Sequence, residues 1–194
     1  MTKKKPNVLI TGASSGIGEA LARHYAITGA GTLFISGRNR ERLETVKTAC
    51  ERYNVKVYAE VMDVTDRQNT AAWIKKCEEI APLNIVYANA GVATLEETPE
   101  NIYNTFNTNV IGVLNTLIPA VEIFKNRRDK HKTLVITSSI AGYHGLPSCP
   151  SYSASKACVK AYGEALRSEL RKFSIQVSVI CPGFVKSRIT DQNT

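Results

Sequence analysis

The sequence predicts one α/β domain, an open, doubly wound parallel sheet covered by helices on both faces, three layers in all. Short β-branched apolar runs alternate with longer amphipathic stretches along the whole chain, the pattern of successive βαβ units. The runs are nearly continuous rather than alternating, as strands buried on both faces require. The length, 194 residues, suits one core and falls short of two ordinary domains.

The elements follow in order. Val8–Thr11 predicts a first strand and Gly16–Thr28 a first helix; Thr32–Ser36 and Arg40–Tyr53 repeat the pair. Val55–Val61 is expected as a strand, Asp66–Ile80 as a helix, and Ile85–Ala88 as the fourth strand. Pro99–Asn126 predicts one long helix with a kink at Pro119, since proline removes a ladder hydrogen bond. Thr133–Ser138, a helix over Ser151–Phe173 and a strand over Ile175–Cys181 complete the pattern. Six strands joined by right-handed crossovers fit the order 3-2-1-4-5-6, with ligands outside the carboxyl ends of the strands where the order reverses. No repeat, linker or low-complexity segment interrupts the domain.

Composition narrows the function classes. Hydrophobic residues at 43% and charged residues at 22% give the balance of a soluble globular protein. No apolar stretch of about 18 residues occurs to span a membrane, and the polar start Met1–Pro6 does not look like a signal peptide. A cytoplasmic protein is expected. Cys50, Cys77, Cys149, Cys158 and Cys181 are odd in number and lack C-x-x-C spacing, which argues against a disulfide or metal framework. The net charge of +8 is scattered, apart from Lys3–Lys5 and the run Lys125–Lys132. It therefore suits attraction of an anionic cofactor better than a nucleic-acid footprint.

The chemistry starts at the first strand-to-helix turn. In Thr11-Gly12-Ala13-Ser14-Ser15-Gly16-Ile17-Gly18, Gly12 permits a tight turn, and Gly16 and Gly18 permit close approach of a pyrophosphate and of helix to sheet. The helix N-terminus offers N–H groups and partial positive charge to the anion. At the end of the second strand an acid would hold the 2′-hydroxyl of NAD, but Ser36-Gly37-Arg38-Asn39 contains none. Arg38 suits the 2′-phosphate of NADP, with Ser14 and Arg42 as helpers, so NADP(H) is expected over NAD(H). On the last helix Tyr152 and Lys156 stand four apart, on one face. A phenol with an ordinary pKa near 10 needs a neighbouring cation to act as an acid or base at neutral pH, and Lys156 is placed to be one.

The spacing G-x-x-x-G-x-G, together with Y-x-x-x-K, resembles the short-chain dehydrogenase/reductase family, and the resemblance extends from Val8 to about Arg188. It implies a Rossmann-like fold and hydride transfer between a nicotinamide and a ketone, aldehyde or secondary alcohol. It also assigns further positions. Ser15 and Ile17 join the turn in binding the cofactor. Asp63 and Val64 would meet the adenine. Asn89, Ala90 and Gly91 match the N-A-G motif. Pro182, Gly183, Val185 and Ser187 would pass the nicotinamide, and Tyr152 and Lys156 would touch it. The resemblance makes Ser139 and Tyr152 the substrate contacts, Tyr152 the acid or base, Lys156 its tuner and Asn109 the anchor of a proton relay. Val92, Ala93, Ala141, Tyr143, His144, Leu146, Cys149 and Phe184 fall where a mostly apolar substrate wall is expected. Family members continue past the P-G motif with a substrate-covering segment and a seventh strand, so the chain, ending at Thr194, is expected to be C-terminally incomplete. A homodimer or homotetramer, paired through Pro99–Asn126 and Ser151–Phe173, is also implied. Two other classes stay open, a non-catalytic module sensing nicotinamide redox state and a nucleic-acid binder on the same fold.

Overall fold

The computed structural model describes residues 5–94, 96–129 and 131–185. Among the described residues six strands, β1 (Asn7–Thr11), β2 (Thr32–Gly37), β3 (Lys56–Val61), β4 (Ile85–Ala88), β5 (Lys132–Thr137) and β6 (Ile175–Ile180), form one sheet. All pairings are parallel and the order is β3-β2-β1-β4-β5-β6. The expected topology is therefore the one observed, and the order reverses between β1 and β4.

Side-chain alternation along the strands builds two half-cores. Leu9 and Phe34 pack in a cluster with Trp73, Leu117, Leu134 and Leu166. Their strand neighbours Val8, Ile10, Leu33 and Ile35 pack with Ala22, Leu43 and Val46 in a second cluster. Successive strand side chains point to opposite faces, so the sheet is covered on both sides.

Local chemistry sets the helix ends. Helix α1 (Gly16–Thr28) stops at Gly29, which takes the left-handed conformation (φ 93°) favoured by glycine. Asn39 caps α2 (Arg40–Glu51) by accepting from the Arg42 N–H, and Asp66 caps α3 (Arg67–Ile80) by accepting from the Asn69 N–H. Thr98 caps α4 (Pro99–Phe106), with Pro99 in its first turn. The last helix, α6, covers Pro150–Leu170 and closes in a short 3-10 turn, Arg171–Phe173.

The long helix departs from expectation in one respect. The irregularity is a π-helical turn at Asn107–Ile111, and α5 (Gly112–Lys125) runs continuously through Pro119. The turn coincides with the inward reach of Asn109, whose amide bonds Val92 and Ser155. Asn115 fixes the start of α5 by donating to the Val64 and Thr65 carbonyls. Insertions of this kind re-aim side chains and recur at functional sites.

Candidate active site

The glycine turn closes on the strand β4 edge. Gly12 (φ 68°) and Gly16 (φ 56°) occupy left-handed backbone, and a Cβ on Gly12 would stand 2.7 Å from the Ala90 Cα. Gly18 serves packing. A Cβ there would run into the Gly12 carbonyl and the Asn89 amide, whereas Ser14, Ser15, Gly16 and Ile17 line the cavity beside the turn.

Asn89 and Thr11 stitch the sheet where its order reverses. The Thr11 hydroxyl donates to the Tyr87 carbonyl (3.1 Å) and accepts from the Asn89 and Ala90 N–H groups (3.1 and 3.3 Å). The Asn89 amide donates to the Thr11 carbonyl (3.0 Å) and accepts from the Thr137 hydroxyl (3.1 Å). Three strands are thus held by two side chains. The role of Thr11 was missed from the sequence, where it precedes the glycines without a distinguishing pattern.

A cavity of about 890 Å3 extends along this edge. Ser14, Gly37, Arg38, Asn39, Arg42, Met62, Asp63 and Val64 line one end; Asn89, Ala90 and Gly91 line the middle; Ser139, Tyr152, Lys156, Pro182, Gly183 and Val185 line the other. At the first end Arg38 pairs with Asp63 (3.6 Å), and Asp63 also accepts from the Thr65 N–H (2.9 Å). Among the described residues the buried Arg42 Nε has no hydrogen-bond partner. An orphaned cationic N–H is costly unless an anion meets it. A cradle shaped by missing Cβ atoms, a helix N-terminus and this buried Arg42 Nε together fit a nicotinamide dinucleotide. Ser187, expected at the far end, lies outside the described residues.

Helix α6 and the end of β5 bring Ser139, Tyr152 and Lys156 together. Lys156 is 4% exposed; its Nζ donates to the Thr137 carbonyl (3.0 Å) and lies 5.6 Å from the Tyr152 ring centroid. Ser138, the neighbour of Ser139 at the end of β5, donates to the Lys156 carbonyl (2.8 Å) and so fixes the helix. Asn109 is fully buried. It accepts from the Val92 N–H (2.8 Å) and donates to the Val92 carbonyl (2.9 Å) and the Ser155 hydroxyl (3.0 Å). Ser155 in turn donates to the Tyr152 carbonyl (2.7 Å). Ser155 and Thr137 are contacts that sequence reasoning missed; Ser155 lies inside the Y-x-x-x-K segment, where only its ends draw attention.

The electrostatics differ from the simplest expectation. Burial raises the Tyr152 phenol above its ordinary pKa, and a hydrogen bond from Ser139 offsets this only in part. Lys156 does not lower it, because its ammonium sits by the ring and the Thr137 carbonyl. Burial lowers Lys156 itself to about 8, since a charged amine is poorly solvated there. An unfolded chain keeps that proton to about pH 10.4, while the native chain releases it near 8. Lys156 therefore destabilises the fold below pH 8, and stability rises as pH climbs through the window, by up to about 1.4 kcal/mol per pH unit. Urea midpoints of the natural chain should rise relative to Lys156→Met between pH 7.5 and 9.5. A constant difference would show an ordinary lysine.

The substrate wall is only partly as expected. Ala93, Ala141, Leu146, Cys149 and Phe184 line the cavity. Tyr143 and His144 do not; they line an adjoining, smaller cavity with Pro147, Pro150 and Ala154. The 3-10 turn Ile140–Gly142 carries the chain away, and the Tyr143 ring settles 4.4 Å from the Lys160 Nζ. The Val92 backbone is held by Asn109, and Val92 is not among the residues lining the cavity.

A six-stranded doubly wound sheet, a phosphate cradle at its switch point and a Ser–Tyr–Lys group beside it define an NAD(P)-dependent oxidoreductase. The chain belongs to the short-chain dehydrogenase family, whose model matches residues 6–194. It is 37% identical over 190 residues to an uncharacterised oxidoreductase of Myxococcus xanthus, covering 95% of this chain and 74% of that one. A second uncharacterised oxidoreductase, from Mycobacterium tuberculosis, is 33% identical over 198 residues, covering 98% of this chain and 76% of the relative. A short-chain dehydrogenase/reductase of Burkholderia phymatum, solved in complex with NAD, superposes with a TM-score of 0.91 at 26% identity, over all of this chain and 71% of that one. The chain therefore spans about three quarters of the length of these relatives. Among the described residues no helix is long and apolar enough to cross a membrane.

Proposed function

We propose that this oxidoreductase uses NADP(H) and interconverts a ketone or aldehyde with its alcohol, Tyr152 handling the proton. The observation that carries this is the placement of Ser139, Tyr152 and Lys156 at one end of a cavity whose other end holds Arg38 and the unpartnered Arg42 Nε. Bound along that edge, a reduced nicotinamide supplies the hydride. Tyr152 donates its phenolic proton to the carbonyl oxygen as that oxygen gains negative charge, and Ser139 donates a hydrogen bond to the same atom. In oxidation Tyr152 takes the proton back. Lys156, buried beside the Tyr152 ring and donating to the Thr137 carbonyl, ties the tyrosine's helix to the end of β5. Asn109 and Ser155 hold the tyrosine's helix in place. With these groups present together, catalysis accounts for the site better than redox sensing, which needs none of them.

Arg38 and Arg42 favour the extra phosphate of NADP, and no carboxylate ends β2 to hold a 2′-hydroxyl. The Burkholderia relative solved with NAD establishes only its own cofactor. Titration by fluorescence should show NADPH bound at least tenfold more tightly than NADH, with Arg38→Asp reversing the order. An Arg38→Asp variant that keeps its NADPH affinity would overturn the preference. Absorbance at the reduced-nicotinamide band, followed over a panel of ketones, aldehydes and 3-oxoacyl thioesters, then tests the reaction. The same preparation, sized by light scattering, tests pairing of chains through α4–α5 and α6, a role supported by the exposed Tyr103 and Ile118. A monomer at micromolar concentration would exclude it.

A further inference from the structure

The helix that carries Tyr152 begins without a side-chain cap of its own. Cys149 precedes α6 and makes no capping bond, and Pro150 at its first position has no N–H to give. The first donor inside the helix is the Ser151 N–H. It donates to a Glu97 carboxylate oxygen at 3.0 Å, and the Ser151 hydroxyl donates to the same oxygen at 2.7 Å. Ser151 is 5% exposed. A carboxylate at a helix N-terminus also meets the positive end of the helix dipole, and charge-assisted bonds of this length are the strong ones.

Glu97 comes from the segment between β4 and α4, 54 residues away in sequence. That segment is fixed at its other end as well. Asn109 clamps both backbone groups of Val92, and Ala93 lines the cavity. Tyr152 thus stands between two ties. Its preceding residue is held by Glu97; its own carbonyl is held by Ser155, which Asn109 engages. One end of the β4–α4 segment meets substrate space and the other sets the first turn of the tyrosine's helix.

We infer that Glu97 is a positioning residue for the reaction, holding the first turn of α6 so that the Tyr152 hydroxyl stays within reach of Ser139 and the substrate oxygen; this rests on the proton-transfer role proposed above. Glu97 is not among the residues lining the cavity and engages Ser151 instead, so its loss is expected to act on the chemical step and to leave binding intact.

The test compares Glu97→Ala, Glu97→Gln, Ser151→Ala and Tyr152→Phe. Amide hydrogen exchange of the free protein should show residues 150–156 exchanging about tenfold faster in Glu97→Ala, with the strands unchanged. Glu97→Gln keeps an acceptor oxygen and should restore most of the protection. With the best substrate of the panel, Glu97→Ala should lower kcat about tenfold while KM and NADPH affinity stay within twofold, and Glu97→Gln should recover kcat to within threefold. Ser151→Ala should fall between. Unchanged exchange and unchanged kcat in Glu97→Ala would overturn the inference. Equal losses in the alanine and glutamine variants, or a loss confined to KM, would do the same. If Tyr152→Phe itself keeps turnover, the proton-transfer role fails instead, and the exchange data still report whether Glu97 orders the helix.

Discussion

Replacing Tyr152 by phenylalanine is expected to lower kcat by about 10²–10⁴-fold, the usual contribution of a positioned general acid or base, while cofactor affinity changes little. The ring fills the same space, and the helix around it stays fixed by Ser138, Ser155 and Lys156. What disappears is the proton that the carbonyl oxygen must acquire. Burial keeps that proton on the phenol at neutral pH, so the free site is set up as an acid for reduction. Oxidation needs the phenolate, and the residues described here favour it only through the hydrogen bond from Ser139. The pH profile for oxidation should accordingly extend to higher pH than that for reduction, and the alkaline limb should vanish in the variant. Steady-state rates in both directions check this. Turnover within tenfold of the natural chain would place the donor elsewhere.

Asn109→Ala is expected to cost about 3–5 kcal/mol of stability, far more than a typical polar substitution. The amide satisfies both backbone groups of Val92 and the Ser155 hydroxyl in a fully buried position. Each buried group left unpaired costs about 1–3 kcal/mol, and the groups that lose their partner are the Val92 N–H and carbonyl. Because Ser155 then loses one partner beside Tyr152, kcat should fall as well. Asn109→Asp retains an acceptor for the Val92 N–H but sets a carboxylate against the Val92 carbonyl, so it should be no better. Denaturant melts of the two variants measure the loss. A cost below about 1 kcal/mol would mean that water reaches these groups easily.

Much of the fold was legible because the strands carry their instructions locally. Ile85–Ala88 and Gly16–Thr28 have the boundaries their sequences suggest; continuous apolar runs and glycine punctuation decide them. The π-helical turn was not legible. Asn107–Ile111 resembles any amphipathic helix, and the shift depends on Val92, 17 residues away. Pro119 drew attention because proline breaks an isolated helix, yet within α5 it is buried by the core. In the site, Tyr152 and Lys156 were visible through their spacing. The orientation of Lys156 toward Thr137 was not, since a carbonyl in another element leaves no mark in sequence. Glu97 was invisible for the same reason. Tyr143 and His144 were misplaced because proximity along the chain does not reveal which way a 3-10 turn carries it.

The stitching of β1, β4 and β5 by Thr11 and Asn89 also bears on assembly. Its bonds join residues 76–79 and 48 positions apart, so the cradle does not exist until distant halves of the chain have met. Contacts of such sequence separation form late and slowly. Ligand affinity therefore belongs to the finished domain and to no fragment of it. By mass action, a dinucleotide at a hundredfold its Kd would deepen the native basin by about 2.7 kcal/mol, spread over the strands the seam joins. Nucleotide supply then becomes a determinant of how long the chain survives as well as how fast it works.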